Sequence, residues 1–76
     1  MADATFRDRY LQTLVDHVRD DTYPSINQMN IVESLLHPDE MDEYLDVLLR
    51  KIESVQYPSV SMLARVQRLT AQLPSA

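Results

Sequence analysis

Few side chains in this 76-residue chain are of a type and spacing that could do chemistry. His17 has Asp16, Asp20 and Asp21 for neighbours, and His37 has Glu33 four residues before it and Glu40 three after. An imidazole beside carboxylates can act as a general base or a metal ligand. Glu33 and His37, four apart, would share one helical face and permit two metal ligands. The Glu-x-x-His pairs of carboxylate-bridged iron bundles need a spacing of three and further inward carboxylates, and neither is present. His37 therefore reads as a helix-end residue just before Pro38, and His17 as an exposed residue facing water. Ser25 and Ser59 have no plausible base beside them and no glycine-flanked elbow, so both read as helix caps and not as nucleophiles. No catalytic residue, metal site or cofactor is expected, and the chain reads as a non-enzyme.

Composition narrows the chemistry further. Glycine, which phosphate-cradling loops and close approaches to a cofactor most often require, is absent. Cysteine is absent too, which excludes disulfides, thiolate-ligated metals and thiol nucleophiles. Twelve acids against seven bases give a net charge of −5, which disfavours a polyanionic partner such as nucleic acid. Charges near the N-terminus stand where a signal peptide would need its apolar stretch, and no apolar run approaches a membrane span. A cytoplasmic location without membrane association is expected.

The elements that must position any site follow from a repeat. Offset by 34 residues, Tyr10 to Leu36 aligns with Tyr44 to Thr70, and eight of the 27 pairs are identical, among them Tyr23-Pro24-Ser25 with Tyr57-Pro58-Ser59. All four tyrosines fall on paired positions. Within each unit, apolar residues recur at helical spacing: Tyr10, Leu11, Leu14, Val15 and Val18, then Ile26, Met29, Val32 and Leu36. Tyr44, Leu45, Leu48, Leu49 and Ile52, followed by Val60, Leu63, Val66 and Leu69, repeat the pattern. Proline disfavours helical geometry in the residue before it, so a break is expected at Tyr23 and Tyr57, with Ser25 and Ser59 capping the next helix. Pro38, Asp39 and Glu40 suit the first turn of a third helix.

These signals predict an all-α fold with helices near 4–20, 25–36, 38–54 and 59–72 and frayed ends at 1–3 and 74–76. They compose two tandem helical hairpins, about 4–36 and about 38–73, packed into a compact bundle forming one domain over 1–76. Thirty-four residues is also the period of a tetratricopeptide repeat. That family's small residues at helix crossings have no counterpart here, however, and these prolines fall mid-unit.

The faces left over suggest partners. Ile31 and Val47 lie off the main apolar stripes, and their repeat counterparts, Arg65 and Thr13, are polar, so either could contact a protein partner. Asp39, Glu40, Asp42 and Glu43 form an acidic run that suits a helix start and could also dock a basic protein. The expected function is a small acidic protein–protein interaction module or assembly subunit, with a homodimer among the assemblies. One alternative is a DNA-associated regulator reading through Arg65 and Arg68 of the last helix. The other is an inhibitor or antitoxin-like protein whose acidic surface occupies a basic site. Tyr23 and Tyr57 are expected to fold back over their hairpins, the competing reading being exposed recognition residues.

Overall fold

The computed structural model describes residues 5–73, and every regular element among them is helical. Four α-helices run in order: α1 (Phe6–Asp20), α2 (Ile26–Leu35), α3 (Met41–Ser54) and α4 (Val60–Thr70). The expected frayed ends at 1–3 and 74–76, and the expected start at residue 4, lie outside the described residues.

Helix starts follow from short polar side chains. The Thr5 hydroxyl accepts from the Asp8 N–H at 3.1 Å, satisfying one of the donors a helix N-terminus leaves open. Ser25 and Ser59 cap α2 and α4 alike, accepting at 3.0 Å from the N–H groups of Gln28 and Met62. Their backbones also agree, with φ −69°, ψ 145° at Ser25 and φ −69°, ψ 146° at Ser59. Proline governs the stops. His37, held extended by the ring of Pro38, follows the end of α2, and Pro38–Glu40 form a 3-10 turn leading straight into α3. The third helix thus begins with a tight turn where a continuous α-helix from 38 is expected. No described residue has a positive φ, so every reversal is made from ordinary right-handed and extended geometry.

The chain divides between Leu36 and His37 into two units. In the first, α1 packs on α2; in the second, α3 packs on α4 and on the 3-10 turn. Buried residues in the first unit are Leu11, Val15 and Val18 of α1, Pro24 of the break, and Met29 and Val32 of α2. An Arg7 guanidinium N–H also donates to the Leu35 carbonyl, tying the start of α1 to the end of α2. In the second unit the buried set is Tyr44, Leu45, Val47 and Leu48 of α3, with Arg65 and Leu69 of α4. At 100° per residue the buried stripe of α1 spans about 60° and that of α3 about 160°. No helix among the described residues is long and apolar enough to cross a membrane.

Several residues assigned to the core by spacing are exposed: Tyr10, Ile26, Leu49, Val60 and Leu63. The reason lies on the helical wheel. Apolar residues three and four apart define a stripe, but a helix with apolar residues around most of its circumference contains more than one such stripe, and only packing selects the inner one.

Candidate interaction surfaces

Residues of possible chemical use are engaged in local structure. The Asp16 carboxylate accepts from Gln12 Nε2 and from Arg19 Nη1, each at 2.9 Å, and His17 is exposed. Because α2 stops at Leu35, His37 is not on its helix, and the shared helical face expected of Glu33 and His37 does not form. His37 instead closes the 3-10 turn. Its N–H donates to Glu40 Oε1 at 2.8 Å, its carbonyl accepts from the Glu40 N–H at 2.9 Å, and its Nδ1 stands 3.8 Å from Glu40 Oε1. One ligand atom each from His37, Asp39 and Glu40 lies within 4.8 Å of the others. The Glu40 carboxylate of that trio is already bonded to the His37 backbone N–H, as part of a helix-start cap.

The acidic run wraps this same junction. Asp39, Asp42 and Glu43 are exposed and Glu40 is half-buried, so the four expected docking acids share one turn of chain where the helix dipole favours negative charge. Asp46, one turn on, accepts from Arg50 Nε at 2.8 Å, and that bond holds the Arg50 proton more firmly than in an isolated side chain. In the first unit, Arg7 donates to Asp8 at 3.0 Å and lowers its carboxyl pKa below the usual value.

Other candidates fall differently. Ile31 is exposed on α2, whereas Val47, expected off the stripe, is only 4% exposed. Arg65 is 7% exposed, which takes its guanidinium away from a solvent-facing surface, while Arg68 is exposed. The wider buried arc of α3 accounts for Val47. Position 65 lies beside Leu69, one turn away on the inner side of α4.

The largest departure concerns the tyrosines. Tyr23 and Tyr57 are both 85% exposed, so neither ring folds back over its helices. Each immediately precedes the Pro-Ser cap, followed by a further exposed aliphatic residue, Ile26 or Val60. A second aromatic feature, not drawn from spacing, is the exposed pair Phe6 and Tyr10, stacked with ring centroids 6.2 Å apart and planes at 21°. Their separation of four residues is the signal that would have revealed it.

No family model, curated protein or solved structure matches this chain. The functional reading therefore rests on these surfaces alone.

Proposed function

We propose that the chain is a small, acidic, non-catalytic protein–protein interaction module or assembly subunit of the cytoplasm. Its two helix pairs are tandem hairpins of a duplicated 34-residue unit and act together as one all-α domain. The observation that carries this reading is the matched exposure of Tyr23 and Tyr57, each beside an exposed aliphatic residue at the same kind of helix break. A tyrosine ring offers a large apolar area with a hydroxyl that stays hydrogen-bonded, the combination enriched at protein interfaces. The identical cap geometry of Ser25 and Ser59 supports the duplication.

Ile31 adds an exposed apolar contact, and Asp39, Glu40, Asp42 and Glu43 favour a basic partner by speeding encounter more than by deepening affinity. Val47, being buried, leaves the contact set. The test is a Tyr23→Ala/Tyr57→Ala double variant, used with the parent chain in affinity capture from the native extract. The expected outcome is loss of the captured protein with thermal stability unchanged to within about 0.5 kcal/mol, as for ordinary surface substitutions. A lowered melting temperature with capture retained would return both tyrosines to an architectural role.

A further inference from the structure

The two tyrosine breaks match in exposure and differ in charge. Asp16 to Ser25 aligns with Arg50 to Ser59 at the 34-residue offset. The first stretch holds three aspartates and one arginine, whereas the second holds one arginine, one lysine and one glutamate, so the first is net negative and the second net positive. At two aligned positions the sign reverses outright, Asp16 with Arg50 and Arg19 with Glu53. Tyrosine, proline and serine are kept while the charges around them are not.

The helices that feed the breaks widen the difference. A helix C-terminus carries the negative end of the macrodipole, which favours cations and disfavours anions. In α3, Lys51 and Glu53 balance in the last turn, and Ser54 and Val55 at the terminus are neutral. In α1 the placement runs against the dipole: Asp20 is the last helical residue and Asp21 the C-cap. Arg19, the one arginine of that last turn, donates to Asp16 at 2.9 Å. Asp20, Asp21 and Tyr23 are all exposed.

We propose that the Tyr23 break docks an arginine side chain of a partner protein, and that the Tyr57 break does not. The proposal rests on the interaction-module reading and deepens it by naming the group that Tyr23 receives. Tyr23 gives a ring face on which a guanidinium can stack, and Asp20, three residues before it, gives a carboxylate to accept the guanidinium N–H groups. Asp21 and the dipole of α1 add negative potential at the same helix end. Ile26, exposed three residues beyond Tyr23, offers apolar surface to the methylene stem.

Charge selects this occupant over others. A segment bearing carboxylates or phosphates would meet two aspartates and a helix end of like sign. A purely apolar segment would strip water from Asp20 and return nothing, a cost that a paired arginine offsets. Arginine fits better than lysine because its flat, weakly hydrated guanidinium can lie on a ring and bond a carboxylate in one pose. At the Tyr57 break the same arginine would meet neutral Ser54 where Asp20 stands in the first, with Arg50 and Lys51 just before it.

The test uses the full chain and two capped pentapeptides, one with arginine at its second and fourth positions and one with glutamine there, followed by NMR shifts at low salt. The arginine peptide should move the Tyr23 ring and the signals of residues 20–26 and leave those of 54–60 in place. Its glutamine counterpart should move neither. Tyr23→Leu, which keeps an apolar side chain but removes the ring, should weaken arginine-peptide binding about two- to fivefold, whereas Tyr23→Phe should not. Asp20→Asn should weaken it by a similar factor, and added salt should mask that loss. Shifts confined to residues 39–43, equal shifts at both tyrosines, an equal response to the glutamine peptide, indifference to Tyr23→Leu, or no shifts at all would each overturn the proposal. The peptide comparison is made on the parent chain, so it decides the matter even where a variant fails to fold. Loss of a captured partner on Tyr23/Tyr57 substitution, without arginine-peptide binding, would leave the broader reading standing and sink this one. Arginine-peptide binding at Tyr23, with capture retained by the double variant, would do the reverse.

Discussion

Positions 34 apart in the two units hold similar residues in dissimilar surroundings. Tyr10 is 42% exposed and stacked on Phe6, while Tyr44 is 1% exposed. Thr13 faces water and its counterpart Val47 is buried; Ile31 faces water and its counterpart Arg65 is buried. Arg7 ties α1 to the end of α2, and the residue standing 34 further on is Met41, which has no guanidinium to repeat the tie. The tyrosines and capping serines of the helix breaks keep both sequence and environment, exposed in each unit, and so do Leu11 and Leu45, both buried. The contrast teaches that local chemistry, such as a cap or a proline stop, transfers with the sequence. Burial transfers only in part, because it is decided by which stripe a helix turns inward.

The sharpest way to break that comparison is to truncate the paired tyrosines. Tyr44→Ala should cost about 3–5 kcal/mol, the range for removing a buried aromatic ring. A single core of this size rarely supplies more than about 3–5 kcal/mol. The variant should therefore lose most of its helical signal at 25 °C by circular dichroism. Tyr10→Ala should stay within about 1 kcal/mol of the parent. Equal losses would mean that the two positions are equivalent after all.

A gentler exchange tests the neighbouring pair. Val47→Thr places a hydroxyl in a buried position and should destabilise by about 1–3 kcal/mol in urea titration, whereas Thr13→Val should change stability by no more than about 0.5 kcal/mol. A smaller loss than at Val47 is expected at the Arg7 tie. Arg7→Met, which gives the first unit the residue of the second, should cost about 1 kcal/mol through the lost bond to the Leu35 carbonyl. It should also raise the Asp8 titration midpoint, followed by carboxyl NMR shifts, towards the ordinary aspartate value. In the parent chain the Arg7 bond lowers the Asp8 pKa. Its contribution is therefore present above the ordinary aspartate range and is lost as pH falls through the lowered value.

Much of the fold was legible because it is written in local terms. Pro24, Pro38 and Pro58 and the serines after two of them set breaks that the structure places within three residues of expectation. The inner face of α4 was not legible. Val60 and Leu63 continue an apolar period and yet point outward, while Arg65 interrupts that period and yet is buried. Spacing alone ranks an arginine last for an interior position, and only packing overrides it. The exposed tyrosines were open to two readings for the same reason, since a residue just outside a helix has no periodic position to fix its direction.

The absence of left-handed backbone among the described residues has a practical consequence for recognition experiments. At a glycine-dependent corner, replacing a residue disturbs the chain path and the surface chemistry together. Here neither Tyr23 nor Tyr57 has a positive φ, so replacing it removes no left-handed corner. Saturating these two codons would report on side-chain affinity itself, uncontaminated by the loop that presents it.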